Sequence, residues 1–214
     1  MRKGETKTGA EFIPANPTFP LLKEFVQECR GCDLYLRATQ AVFGEGPRTA
    51  RIMFVGEQPG DEEDRSGHPF VGPAGRLFDR ALVEAGIDRS STYVTNVVKH
   101  FKFEERGKRR IHKKPSAWQI KACQPWLDAE IALIRPDVIV CLGATAAQAM
   151  FGTAYRLTKE RGRFIEYPWA QRATSTIHPS AILRAPDEER RHIEYQRFVA
   201  DLKIVREALR AASS

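Results

Sequence analysis

Three short, almost wholly apolar runs constrain the fold of this chain most strongly. They are residues 51–56 (RIMFVG), 92–98 (TYVTNVV) and 137–142 (DVIVCL), and each is typical of a strand buried on both faces. The segments between them have apolar residues at helical spacing. Buried strands that alternate with helices indicate a mostly parallel sheet with helices on both sides. We therefore predict an α/β fold, a three-layer α/β/α sandwich.

The remaining elements follow from spacing and capping signals. Ser116 followed by Gln119 fits a capping box and predicts a helix that runs to about residue 134. Asp187 is suited to cap a last helix. Further helices are predicted at 21–26, 75–85 (ended by Gly86) and 144–150, and further strands at 164–167 and 174–177.

Length and composition favour one domain. The chain has 214 residues, 42% of them hydrophobic, which is enough for one sizeable core. Residues 1–17 have no periodic pattern and predict a flexible tail, which leaves 18–214 as a single domain. The chain contains no run of 18 or more apolar residues, so no membrane span is predicted. The start, MRKGETKTGAEF, has no apolar signal region, so we expect a cytoplasmic protein.

Unusual polar segments follow the predicted strands. GEQPGDEED begins at Gly56, Asn96 ends the second run, and His178-Pro179-Ser180 follows a late strand. In parallel sheets, ligands bind beyond the carboxyl ends of the strands, so these segments predict a site there. No GKS or GKT follows the Gly-rich turn, which argues against a P-loop and a nucleotide cofactor.

Two further motifs have side chains suited to binding a flat ring. Phe70 lies in the Gly/Pro-rich loop GHPFVGPAG, where it could stack on a base or simply fill the core beneath the loop. His178, in HPSAILR, could donate a hydrogen bond to a carbonyl that gains negative charge, or it could be structural.

Basic residues are concentrated in one segment. Residues 99–114 contain eight Lys or Arg and two Glu, an excess of +6 in a chain whose net charge is +7. We predict a basic loop over about 99–115 that contacts a polyanion.

Four cysteines could form a metal centre. Cys29 and Cys32 are separated by two residues, and Cys123 and Cys141 lie far along the chain. Four thiolates can hold either zinc or an iron–sulfur cluster, and the spacing does not decide between them. Alternatively, some of the four are simply small buried residues.

In order, GEQPG, PFVGPAG, Asn96 in VTNVVK and HPSAILR resemble the signature segments of the family-4 uracil-DNA glycosylases, over about residues 29–209. The resemblance implies a uracil-DNA glycosylase fold and excision of uracil from DNA. It also implies a structural [4Fe–4S] cluster on the four cysteines. In this interpretation Gln58, Phe70, Asn96 and His178 bind uracil, and His178 stabilises its developing charge.

Two departures resemble the UdgX subgroup instead. Gln58 replaces the usual Ala, and Lys108-Arg109-Arg110-Ile111-His112 matches its KRRIH loop. This resemblance implies that His112 attacks the sugar C1′ and stays covalently bound, with Glu57 as its base. We expect Lys108, Arg109, Arg110 and Arg184 to contact DNA, and from charge alone we expect Asp61 and Asp64 to pair with the loop.

The predicted partner is uracil-containing DNA, preferably single-stranded because flipping a base out of a duplex costs a few kcal/mol. We expect a monomer. A conventional turnover glycosylase and a non-catalytic DNA-binding relative remain alternatives.

Overall fold

The structure is a computed structural model that describes residues 7–211. Its strands are β1 (Ile52–Gly56), β2 (Thr92–Asn96), β3 (Phe103–Arg106), β4 (Arg109–His112), β5 (Val138–Leu142), β6 (Ile165–Tyr167) and β7 (Ala170–Thr176). Five of them form one sheet in the order β2-β1-β5-β7-β6. The first four strands of that order are parallel, and only β6 runs antiparallel to its neighbour. The predicted mostly parallel sheet is confirmed.

The helices of the described residues are α1 (Phe19–Phe25), α2 (Asp61–Ser66), α3 (Pro73–Ala85), α4 (Ala117–Ile134), α5 (Ala144–Phe151), α6 (Leu157–Glu160), α7 (Pro179–Leu183) and α8 (Glu188–Ala211). Within residues 7–211, no helix combines the length and the apolar character needed to cross a membrane.

Two apolar cores cover the two faces of the sheet. Alternate residues of β1 point to opposite sides: Met53 packs in one core and Phe54 in the other, as the two-residue period of a strand requires. The first core includes Trp126 of α4, and the second includes Phe78 of α3 and Phe198 of α8. The three-layer α/β/α arrangement is therefore confirmed.

The predicted caps are present. The Ser116 N–H donates to the side chain of Gln119 at 2.9 Å where α4 begins. The Arg190 N–H donates to the carboxylate of Asp187 at 2.7 Å at the start of α8. Gly86 ends α3 with φ of 71°, a left-handed conformation that costs glycine little.

The segment predicted as a basic loop is a β-hairpin. Strands β3 and β4 pair antiparallel, with Phe103 opposite His112 and Arg106 opposite Arg109. Gly107 makes the turn at φ of 58°. The count of charges concealed the alternation of apolar and charged residues in Phe101-Lys102-Phe103-Glu104, which is typical of a strand. Because of this pairing, His112 lies at the base of the hairpin and not at its tip.

The predicted tail is also partly structured. Gly9–Phe12 form a 3-10 helix that packs on α4, where a Cβ added at Gly9 would lie 2.6 Å from the ring of Trp126. Gly9–Phe12 therefore pack against the domain, because the absence of a side chain at Gly9 permits this close approach. The prediction for residues 1–6 lies outside the described residues.

Candidate active site

The polar segments noted in the sequence meet at one edge of the sheet. Glu57 follows β1, Asn96 ends β2, and His178 follows β7. These strands are parallel, so their carboxyl ends lie together. Gly143, at φ of 94° after β5, allows His178 to approach: a Cβ there would lie 3.0 Å from the Cβ of His178.

Asn96 and Phe70 meet over Gly56. A Cβ placed on Gly56 would lie 2.3 Å from Asn96 Oδ1 and 2.9 Å from Phe70 Cζ. Among residues 7–211, no group hydrogen-bonds to the carboxamide of Asn96, so its donor and acceptor are both available. An amide facing a ring surface can bind a planar heterocycle that presents both a donor and an acceptor.

The backbone of Phe70 is strained. Its φ is 60°, in the left-handed region that bulky residues rarely adopt, and its side chain is buried. The ring lies 5.4 Å from that of Phe78 and 6.3 Å from that of His178. Gly75 permits this conformation, because a Cβ there would lie 1.7 Å from the Phe70 carbonyl oxygen. Phe70 thus packs in the core against Phe78 and also lies beside His178, and its predicted stacking on a base stays a prediction.

The geometry of His178 defines its tautomer. Its Nδ1 accepts from the Ser180 N–H at 3.1 Å and lies 2.8 Å from Ser180 Oγ. Burial, together with the charges of Arg184 and His112, lowers the pKa of His178 to about 4. The imidazole is therefore neutral at pH 7, with its proton on Nε2, where it can be donated to a ligand.

His112 lies beside Glu57. Its Nε2 is 3.4 Å from Glu57 Oε1, and its side chain is 50% exposed. Partial burial lowers the pKa of His112, and Arg184 lowers it further, whereas Glu57 raises it. A neutral, accessible imidazole next to a carboxylate is the form required of a nucleophile.

The side chain of Gln58 is bonded to the backbone of the hairpin. Its amide accepts from the Lys102 N–H at 3.0 Å and donates to the Lys113 carbonyl at 2.9 Å. Lys102 and Lys113 flank the two strands of the hairpin. The side chain of Gln58 thus ties the base of the hairpin to the loop after β1, and the predicted contact of backbone N–H groups near Gln58 with uracil stays a prediction.

Arg110 points inward from the hairpin. Its guanidinium binds Asp61, donates to Asp64 Oδ2 at 2.7 Å and lies over the rings of Phe101 and Phe103. The expected pairing of Asp61 and Asp64 with this segment is confirmed. The expected contact of Arg110 with DNA is not supported, because its side chain is only 13% exposed and its donors are already used.

The other predicted DNA contacts lie at the surface. Lys108 and Arg109 are exposed at the turn of the hairpin, and Arg184 is exposed just after α7. Arg184 lowers the pKa of both His112 and His178, so it lies near the two imidazoles.

The cysteines separate into three and one. Cys29 raises the pKa of Cys32, both of them raise the pKa of Cys123, and burial, the largest cause, raises the pKa of Cys123 to about 12. Cys29 Sγ accepts from Trp126 Nε1 at 3.2 Å, and Cys123 Sγ accepts from the Lys99 N–H at 3.3 Å. N–H groups directed at sulfur suit metal-bound thiolates.

Cys141 is not with the other three. It is buried in β5, where it raises the pKa of Tyr155 and Tyr167, and burial alone raises its own pKa. In residues 7–211, no group of three or more His, Cys, Asp or Glu side chains is arranged to hold a metal ion. The predicted set of four thiolates is therefore not assembled, and Cys141 does not fit it.

Sequence reasoning missed the buried pair Lys99 and Glu130. Both side chains are 0% exposed, and the ammonium and the carboxylate are in contact. The sequence groups Lys99 with the basic segment. Lys99 comes three residues after Asn96, directly after an apolar run, and this position was the signal that could have indicated its burial.

Comparison with known proteins agrees with this geometry. The model for the uracil DNA glycosylase superfamily matches residues 43–203. The type-4 uracil-DNA glycosylase of Thermotoga maritima is 41% identical over 174 residues, which are 81% of this chain and 87% of that protein. The type-4 uracil-DNA glycosylase of Sulfurisphaera tokodaii is 38% identical, over 78% of this chain and 76% of that protein. The type-4 uracil-DNA glycosylase of Archaeoglobus fulgidus is 36% identical, over 75% of this chain and 81% of that protein. The chain therefore belongs to the uracil-DNA glycosylase superfamily.

Proposed function

We propose that this chain excises uracil from DNA and then becomes covalently linked through His112 to C1′ of the abasic sugar. The glycosylase step is supported by the type-4 uracil-DNA glycosylases to which the chain is similar. The linkage is supported by one observation above all: His112 Nε2 lies 3.4 Å from Glu57, at the same sheet edge as Asn96 and His178.

Uracil is recognised by Asn96 and Phe70. The free carboxamide of Asn96 offers a donor and an acceptor, which matches the amide edge of uracil when the amide oxygen accepts from N3–H and the amide nitrogen donates to O4. The ring of Phe70 stacks on the flipped base, a contact worth about 1–3 kcal/mol in other proteins that bind unpaired bases. The left-handed backbone at Phe70 holds the ring beside Asn96 before the base arrives.

Cleavage breaks the bond between C1′ and N1, and its electron pair leaves with uracil. The neutral imidazole of His178 donates from Nε2 to the uracil O2, where negative charge develops. Donors prearranged for a developing charge are worth about 3–4 kcal/mol each in other enzymes. Ser180 occupies Nδ1, which keeps the ring in the tautomer that can donate.

In the trapping step, a lone pair of the His112 imidazole forms a bond with C1′ of the oxocarbenium sugar. Glu57 stabilises the imidazolium that results. The N–H proton of that ring is then released, and the uracil anion gains one proton, so atoms and charge balance. The product is an N-linked sugar that persists as long as no water is positioned to displace the imidazole.

The DNA partner is a single strand that passes the exposed face of the hairpin. Lys108, Arg109 and Arg184 are exposed there and contact phosphates, while Arg110 holds the hairpin in place. A strand that is already unpaired avoids the cost of base flipping. One copy of the chain suffices for one flipped base, so we propose a monomer.

The cofactor proposed is a [4Fe–4S] cluster held by Cys29, Cys32 and Cys123. Such a cluster spreads its ligands wider than a single ion does, which suits three thiols that influence each other without meeting at one point. His100 is a candidate for the fourth position. It is buried directly after Lys99, whose N–H contacts Cys123, and Arg30, next to Cys29, influences its pKa. The cluster, when bound, supplies structural cross-linking.

Incubation with a uracil-containing single-stranded oligonucleotide tests the proposal on a denaturing gel. We expect a protein–DNA band that survives boiling in SDS, and no band with a thymine oligonucleotide. His112→Gly is expected to lose the band but still release uracil, because water can enter the vacated space. Multiple turnovers without a band indicate a conventional glycosylase. Binding without uracil release indicates a non-catalytic relative.

A further inference from the structure

Lys99 is buried three residues after Asn96, the last residue of β2. Its side chain and that of Glu130 are both 0% exposed, and the two form an ion pair. Burying two charges costs several kcal/mol each, and apolar residues of similar size would often serve stability equally well. A charged pair at this place therefore calls for a role besides packing.

The ammonium of Lys99 is directed at the end of β2. Its Nζ donates to the backbone carbonyl of Asn96 at 2.7 Å and to Thr95 Oγ1 at 2.7 Å. The opposite side of the same peptide unit is also held, because the Val97 N–H donates to the Gly56 carbonyl at 2.9 Å. The peptide after Asn96 is thus fixed on both sides, and with it the direction of the Asn96 side chain.

The carboxylate of Glu130 keeps the ammonium in place. It accepts from the Gly44 N–H at 2.9 Å, the Tyr93 hydroxyl at 2.9 Å and the Thr95 hydroxyl at 2.9 Å. Every oxygen of Glu130 has partners, so the pair is part of a fully connected buried network. Such networks specify one arrangement of the groups that they join.

We infer that Lys99, held by Glu130, is a positioning residue for uracil recognition: it orients Asn96 through its backbone carbonyl. This inference rests on the proposed reading of uracil by Asn96. Lys99 thus controls the placement of the carboxamide without contacting the base. In other enzymes, a displacement of about 1 Å at a reacting group can lower the rate by about 10²-fold.

The test uses the double variant Lys99→Met/Glu130→Gln, which removes both charges together and leaves no lone buried ion. The amide oxygen introduced at position 130 can still accept from the Gly44 N–H and the Tyr93 hydroxyl. We expect uracil release under single-turnover conditions to slow by between about tenfold and 10²-fold. The melting temperature and the iron content are expected to stay close to those of the wild-type chain, because no lone charge is left buried.

Asn96→Ala, alone and added to the double variant, identifies the route of the effect. If Lys99 acts through Asn96, the two changes are not additive, and the triple variant releases uracil no more slowly than Asn96→Ala alone. Full additivity, or a wild-type rate in the double variant, overturns the inference while leaving the proposed function intact. A harmless Asn96→Ala overturns both.

If the double variant does not fold, Lys99→Leu/Glu130→Gln replaces it, because this pair keeps the amide oxygen as an acceptor for the Gly44 N–H and the Tyr93 hydroxyl and places a shorter apolar side chain at position 99. The expected loss and the result that overturns the inference are the same.

Discussion

We expect the position of His112 to depend on a buried ion pair made two residues earlier on the same face of β4, which Arg110→Met would break. Methionine keeps an apolar stem against the neighbouring phenylalanines but leaves Asp64, which is 0% exposed, without its cation. Removing one partner of a buried pair costs about 3–5 kcal/mol, and the lower end applies here because the Thr39 N–H also donates to Asp64. The contact with Asp61, 41% exposed, adds under about 1 kcal/mol.

About 3 kcal/mol corresponds to roughly a 10²-fold change in an equilibrium, since about 1.4 kcal/mol is tenfold. We therefore expect Arg110→Met to slow formation of the SDS-resistant adduct by about 10²-fold. Release of uracil should fall by under tenfold, because Asn96 and His178 are on other elements.

The assay measures both quantities in one reaction, from labelled uracil and from the denaturing gel. Arg109→Met is the matched control, since Arg109 is the exposed neighbour on the same strand and should affect only DNA affinity. Adduct formation by Arg110→Met at the rate of the control would refute the idea that this ion pair positions His112.

The thiols, His178 and Gly56 each allow a further test. Cys123→Ser should lose most of the bound iron and Cys141→Ser should retain it, as measured by metal analysis and absorbance. An equal loss of iron in the two variants would show that Cys141 is also a ligand of the cluster. The rate of uracil release should be constant from about pH 8 to pH 5 and fall as pH approaches 4, because His178, with its pKa lowered to about 4, is neutral above that pH and gains a proton below it; a decline centred near the ordinary histidine pKa of about 6.5 would contradict this. Gly56→Ala should nearly abolish release, because its Cβ would lie 2.3 Å from Asn96 Oδ1, and the overpacking should cost only about 1–3 kcal/mol of stability in a urea titration; wild-type release would show that Asn96 does not need that space.

The periodicity of apolar residues and the capping signals were sufficient to predict the architecture. Buried strands such as 51–56 have a continuous apolar pattern, and their alternation with helices predicts a parallel sheet before any contact is known. Parallel strands place their carboxyl ends together, so the meeting of Glu57, Asn96 and His178 could also be predicted. The hairpin was missed because charge dominated the pattern of residues 99–115.

The partner of each polar side chain was decided by tertiary structure alone. Arg110 and Lys99 belong to the same basic segment, yet one holds the hairpin and the other lies buried behind Asn96. Gln58 binds the backbone of the hairpin, and Cys141 lies apart from the other thiols. Helical and strand periods are properties of neighbours along the chain, so a sequence carries them directly. An ion pair or a metal ligand joins residues dozens of positions apart, and its geometry exists only once the packed sheet and helices bring those residues within a few ångströms of each other.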